Sequence, residues 1–453
     1  MSGSENLPTL KSLSEALGSG RTSARQLVEE SLARAEDAAG EGSRAFITLN
    51  AQSARAQADA IDLLRTANAH PGRWAGIPVS LKDLFDVRGQ VTTAGSKLLA
   101  EAAVAQDDAS AVRRLRQAGF IFLGRTNMTE FAYSGVGMNP HYGTPLNPYD
   151  RATGRIPGGS SSGAAVSVAD RMAAAGIGTD TGGSCRIPAA LCGITGYKPT
   201  ARRVPRDGVY PLSHSLDSVG PLAPGVNCCA VLDDIMAGGT GTSVVPAAVD
   251  RLRIAVLTNF VTEDLEPAVS QAYERSLADL QRAGVTLTEV RFDALQNLPD
   301  VNAKGGLAAA EAYAHHRVQL EQHSGRYDPR VGGRIHKGSE QGAAEYLELL
   351  AHRRRLVTEF ERLMQDYDAM LAPTVPVVAP ALSAFEEDSE YVRLNLLLLR
   401  NPSIFNLLDA CAISLPVHQP GDAPVGMMLA AVGGRDRHLL RAAAAVERAV
   451  ISR

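Results

Sequence analysis

The chain has 453 residues, is 45% apolar, and carries a formal net charge of −4 at pH 7. That length can bury a large core, and by itself it suits up to about three domains of roughly 150 residues, or one large α/β unit. A slightly acidic chain lacks the basic face that a nucleic-acid binder carries, so no nucleic-acid partner is expected. No apolar run reaches the roughly 18 residues of a bilayer span, so no membrane partner is expected either.

The opening Met-Ser-Gly-Ser-Glu-Asn-Leu-Pro has no basic region ahead of an apolar one, and no signal peptide is read there. The next segment predicts a helix. Thr22 and Ser23 are capping residues, and Leu27, Val28 and Leu32 share one face of Ala24 to Ala35. A second helix is expected over 51–68. Ile77-Pro-Val-Ser-Leu is a short apolar strand that stops at Lys82-Asp83. Residues 109–118 read as a helix, Phe120-Ile-Phe-Leu as a strand, 162–175 as an alanine-rich helix and 175–180 as a tight strand. A β-α-β run follows: a strand at 253–257, a helix over 266–283 and a strand at 285–290. Long helices are expected near 305–322 and 342–366. Late strands begin at Met370, Ala412 and Val425, and a last helix spans 436–450. Strands alternating with helices throughout predict an α/β protein with one large sheet covered on both faces. Two stretches rich in glycine or charge, 326–341 and 379–390, read as loops, the second ending in the acidic run Glu386-Glu387-Asp388-Ser389-Glu390.

The five cysteines, Cys185, Cys192, Cys228, Cys229 and Cys411, are odd in number and irregular in spacing, which is not a disulfide framework. Reduced thiols and a cytoplasmic location are expected. The ten histidines include no His-x-x-x-His pair, and adjacent His315 and His316 fall on different helix faces, so no metal is expected.

Two glycine–serine stretches stand out: Pro157-Gly-Gly-Ser-Ser-Ser-Gly-Ala-Ala and Gly178-Thr-Asp-Thr-Gly-Gly-Ser-Cys-Arg. Three chemistries could use them. A phosphate cradle needs Gly-x-x-x-x-Gly-Lys-Ser/Thr, which is absent. A nucleophile elbow, Gly-x-Ser-x-Gly, is satisfied with Ser161 at its centre, but no strand precedes it, and His418 or His438 would have to act as base. The third chemistry uses a lysine. A buried lysine loses its charge more easily and can take a serine proton, and Lys82 ends an apolar strand.

With these stretches, Gly76-Ile-Pro-Val-Ser-Leu-Lys-Asp, Gly124-Arg-Thr-Asn-Met-Thr-Glu-Phe-Ala, Gly193-Ile-Thr-Gly-Tyr-Lys-Pro-Thr, Tyr367-Asp-Ala-Met-Leu-Ala-Pro-Thr and Pro424-Val-Gly-Met-Met-Leu-Ala, the chain resembles the amidase signature family from about residue 7 to 450. The resemblance implies a single domain over 1–453. Its catalytic core would span about 75–200, its helical N-terminal part about 7–70, and mobile or substrate-side segments about 305–345 and 379–405. It implies a Ser–cis-Ser–Lys triad: Ser184 as nucleophile, Ser160 as bridging serine after a cis Gly159–Ser160 bond, and Lys82 as base. Ser184 follows Ser160 by 24 residues, the family spacing. Backbone N–H groups of Thr181, Gly182, Gly183 and Ser184 would form the oxyanion hole. Ser161 would support the triad, and Arg186 would anchor the loop, for instance to Asp180. Phe131, Ala132, Tyr133 and Met138 would line the acyl side, and Tyr391 to Phe405 would close the other. The expected activity is hydrolysis of carboxylic amides, with carbamates and esters as further candidates. No cofactor is implied. The partners would be a small amide and water, in a monomer or homodimer. The middle segments Ala312-Tyr-Ala-His-His and Gly325-Arg-Tyr-Asp-Pro-Arg-Val look like stand-alone amidases rather than the glutaminase component of a tRNA-dependent amidotransferase.

Overall fold

Apolar residues at every second position give each strand two faces to bury, and the chain answers with one sheet that is covered on both. In the computed structural model, which describes residues 7–451, the strands are β1 Phe46–Leu49, β2 Pro78–Lys82, β3 Ile121–Thr126, β4 Gly176–Asp180, β5 Thr195–Lys198, β6 Ser218–Ala223, β7 Arg253–Leu257, β8 Thr286–Val290, β9 Ala369–Pro373, β10 Cys411–Pro416 and β11 Gly426–Ala431. They form a single eleven-stranded sheet in the order β1-β3-β2-β4-β6-β5-β10-β11-β9-β7-β8. Two parallel patches, β3-β2-β4 and β9-β7-β8, flank an antiparallel centre. The residues read above at 1–6 lie outside the described part of the chain.

The alternation sorts side chains cleanly. Met427, Leu429 and Ala431 join one core with Ile413 and Leu415. Met428 and Ala430, between them in sequence, join another core with Met370, Ala372 and Ala412. The first face is covered by helices Ala24–Ala35, Ser110–Gln117, Val226–Met236 and Asp436–Ile451, which contribute Val28, Leu115, Val231 and Leu439. The second is covered in part by Ala343–Leu363 and Asp388–Leu407, through Phe360 and Phe405. The alanine-rich helix Ser162–Ala169 and the helix Arg186–Cys192 form a smaller core with Ala164, Val168, Ala189 and Leu222.

Several elements differ from the sequence reading. The helix begun at Ser162 stops at Ala169, because Arg171 adopts a positive φ of 58° and turns the chain toward β4. The stretch 326–341 is not an irregular loop. It holds the helix Pro329–His336, with Asp328 capping its start and proline in its first turn, followed by a short 3₁₀ turn. The acidic run opens a 20-residue helix, Asp388–Leu407, with Asp388 and Glu390 in its first turn, where the helix dipole favours negative charge. Strands β1, β5 and β6 are not announced by the sequence. Each is short, and its neighbours in the sheet come from distant parts of the chain.

Candidate active site

Parallel strands point their carboxyl ends the same way, and ligands in such sheets gather beyond those ends. β2 pairs with β4 through Leu81 opposite Ile177. Their last residues, Lys82 and Asp180, therefore lie side by side. Lys82 is fully buried. Its Nζ donates to Ser160 Oγ at 2.8 Å and to Thr179 Oγ1 at 2.9 Å. No carboxylate contacts it. Burial lowers its pKa from 10.5 to about 8, while Cys185, Asp180 and Asp217 pull weakly the other way. An amine in this setting is substantially neutral near physiological pH.

Ser160 is held by its backbone. Its carbonyl accepts from Thr129 N at 3.1 Å, and the Gly159–Ser160 peptide is cis. Gly159 N donates to the Gly135 carbonyl at 2.8 Å. A Cβ on Gly159 would lie 2.5 Å from Gly137 N, so only glycine lets these two backbones meet. Ser161 is buried, and its Oγ reaches the Thr179 carbonyl at 3.4 Å. Neither histidine considered as its base is near it. His418 lies against Gly193, and His438 pairs with Asp368 at 3.0 Å.

The loop bearing Ser184 is organised by one buried carboxylate. Asp180 Oδ1 accepts from Gly183 N at 2.9 Å, and Oδ2 accepts from Cys185 N at 3.1 Å. Arg186, also fully buried, donates Nη2 to Oδ1 at 2.8 Å and Nε to Oδ2 at 3.0 Å. Asn406 closes the cluster, donating Nδ2 to Asp180 Oδ1 at 2.9 Å and accepting from Arg186 Nη2 at 2.7 Å. Burial alone would raise the Asp180 pKa, but the Arg186 charge and these donors hold it down at about 2. On the other flank, Thr181 Oγ1 donates to Asp217 Oδ1 at 2.5 Å, and Ser218 Oγ donates to the Asp180 carbonyl at 2.9 Å.

This arrangement changes the expected oxyanion hole. The Gly183 N–H, read from the sequence as one of four donors, already serves Asp180. A carboxylate out of water needs every donor it can reach. The N–H groups of Thr181, Gly182 and Ser184 have no acceptor among the described residues. They are free to meet a developing negative oxygen. Gly183 itself adopts a φ of 127°, with Pro402 Cγ 2.7 Å from where a Cβ would be.

The acyl-side residues fall into two groups. Phe131 and Ala132 adopt positive φ values of 50° and 60°. The Phe131 ring is turned away into an aromatic cluster with Tyr210, His316 and Tyr327, at centroid distances of 5.5, 4.4 and 5.3 Å. Tyr133 lies under the Arg334 guanidinium, 4.4 Å from its ring centre. Met138 is half-buried against the core of Val136, Ile187 and Leu398. Cys185 is fully buried with its thiol near the Gly220 carbonyl, and burial pushes that thiol far up from its usual range. A cavity of about 160 Å³ adjoins Thr179 and is lined also by Arg206, His214, Asp217 and Ser218.

The sequence reading gave no role to Thr179, Asp217 or Asn406. Thr179 sits within a quoted motif, one residue before Asp180, so a test of which strand-end hydroxyls face Lys82 would have found it. Asn406 is 226 residues from Asp180, and nothing local announces that contact. Among the described residues, no helix is long and apolar enough to cross a membrane, and no group of three or more His, Cys, Asp or Glu side chains is placed to hold a metal ion.

The amidase family model matches residues 26–440. The chain is 35% identical to the 2-amino-5-chloromuconic acid deaminase of Comamonas testosteroni, over 89% of this chain and 88% of that protein. It is 33% identical to the glutaminase component of the glutamyl-tRNA(Gln) amidotransferase of Cupriavidus taiwanensis, over 98% of this chain and 97% of that one. A crystal structure described as an amidase superposes with a TM-score of 0.87 at 32% identity, covering 98% of this chain and all of that one. The chain belongs to the amidase signature family, and it is a hydrolase of that family acting on C–N bonds.

Proposed function

We propose that this protein is a stand-alone amidohydrolase that cleaves aryl or small-to-medium acyl amides through an acyl-enzyme, with carbamates and esters as further acyl donors. Ser184 is the nucleophile, Ser160 the relay and Lys82 the base. The observation that carries this reading is the buried lysine, its Nζ 2.8 Å from Ser160 Oγ with no carboxylate in contact and its pKa lowered to about 8. A permanently charged lysine could not accept a proton.

The steps follow from that state. The neutral Lys82 amine takes the Ser160 proton while Ser160 takes the Ser184 proton. Ser184 Oγ bonds to the amide carbon, and the carbonyl oxygen gains the charge beside the N–H groups of Thr181, Gly182 and Ser184. Losing one such donor costs about 2.7–4 kcal/mol in the transition state. The tetrahedral species collapses as the C–N bond breaks, and the proton held by Lys82 returns through Ser160 to the leaving nitrogen. Water then attacks the acyl-enzyme ester by the same path in reverse, releasing acid and restoring Ser184.

The test is a pair of variants assayed on anilides, primary amides, carbamates and esters. Ser184→Ala abolishes turnover, whereas Ser161→Ala retains a measurable fraction. An elbow at Ser161 predicts the opposite order. A sulfonyl fluoride labels Ser184, located by mass spectrometry. The extended similarity to an amidotransferase component favours a second reading, that of a glutaminase working inside a larger assembly. Glutamine hydrolysis that appears only after partner proteins are added would select it.

A further inference from the structure

The helix Asp388–Leu407 lies across the glycine loop, and one of its residues touches both sides of the site. A Cβ on Gly182 would lie 3.3 Å from Leu399 Cδ2, and one on Gly135 would lie 3.3 Å from Leu399 Cγ. Gly182 offers a free N–H beside Ser184, and the Gly135 carbonyl holds Gly159. Leu399 therefore spans the oxyanion loop and the segment that positions Ser160. It is only partly buried, whereas Leu394 and Leu398 on the same helix are buried. Leu396 is 60% exposed and Val392 is 51% exposed. Val392, Leu396 and Leu399 follow one another at helical spacing, so an apolar stripe leads from the surface to the glycine loop.

The charges nearby are already engaged. Asp180 accepts from Gly183, Cys185, Arg186 and Asn406. Asp217 accepts from Thr181 and from the N–H groups of Leu212 and Ser213. Glu130 is fully buried and holds Ser96, His141 and the Asp328 N–H. A cation placed against Leu399 would lose water and meet a hydrocarbon wall, which is costly without a partner.

Resting on the catalytic reading above, we infer that Leu399 is a specificity-determining residue. It selects substrates whose acyl group is uncharged and apolar next to the attacked carbonyl, and it rejects those with an ammonium there, such as free amino-acid amides.

A matched pair of substrates tests this: pentanamide and 2-aminopentanamide, followed by ammonia release at pH 7, where the α-amine is largely charged. Wild type prefers pentanamide in kcat/KM by at least tenfold. It loses about fourfold for each methylene removed from the acyl chain, the effect of one buried CH₂. Leu399→Asp lowers the pentanamide preference at least tenfold. Leu399→Ala flattens the chain-length dependence and Leu399→Met keeps it, which preserves a test if the aspartate variant does not fold. An unchanged preference in Leu399→Asp, an unflattened series in Leu399→Ala, or a wild type that accepts both amides equally or neither, overturns the inference. Turnover of pentanamide by Ser184→Ala would instead sink the catalytic reading and leave the preference to be read independently.

Discussion

Replacing Lys82 by arginine separates a proton acceptor from a fixed positive charge. Burial lowers the lysine pKa from 10.5 to about 8. At pH 7 this leaves about one amine in ten neutral, against roughly 0.03% for an unshifted lysine, a gain of about 300-fold in the reactive form. The expected kcat/KM of the wild type rises about tenfold per pH unit up to about pH 8 and then levels. Arginine keeps its proton throughout this range. Lys82→Arg is therefore expected to lose about 10²–10⁴-fold in kcat/KM at every pH from 6 to 10, the usual contribution of a general base. Stability moves in a linked way. Because the folded pKa lies below the unfolded one, the unfolded chain binds more protons between about pH 8 and 10.5, so stability rises with pH across that window. Lys198, also buried and lowered to about 8, adds to the same rise. Urea midpoints at pH 7.5 and pH 10 should thus differ less in Lys82→Met than in wild type. A flat wild-type rate profile from pH 6 to 9, or near-normal activity in Lys82→Arg, would refute the base assignment.

Three further perturbations address the loop. Arg186→Met leaves Asp180 buried without its cation and should destabilise by about 3–5 kcal/mol, read as a lower urea midpoint; the double variant with Asp180→Asn should recover part of the loss. Gly183→Ala forces a side chain at φ 127° into Pro402 and should lower kcat at least 100-fold by displacing the neighbouring oxyanion donors, with far-UV circular dichroism unchanged. Iodoacetamide should leave Cys185 unlabelled in the native protein and label it in urea, because the thiol is fully buried and held protonated; labelling under native conditions, detected by peptide mass mapping, would contradict the loop geometry.

Much of this molecule is written locally. The period-two apolar pattern of Met427 to Ala431 states which side chains face each core, and Ser23 with Leu27, Val28 and Leu32 states where a helix begins and which face it buries. The glycines at 135, 137, 158 and 159, together with Ser160 and Ser184 at their spacing, mark a place of close backbone approach before any coordinates exist. The sequence also ends a strand at Lys82. It could not say that Lys82 meets Thr179, 97 residues further along the chain, because that depends on β2 pairing with β4, and register is set by the whole sheet. Nor could it say that Gly183 surrenders its N–H to Asp180, or that Asn406 completes the cluster from 226 residues away. The helix at 388–407 was hidden for a related reason. Its polar and apolar residues follow two partners, the sheet beneath and the glycine loop beside it, so no single stripe announces it. Local pattern decides what each segment can become, whereas burial and charge pairing, which arise only when distant segments meet, decide which lysine is neutral and which N–H groups remain free.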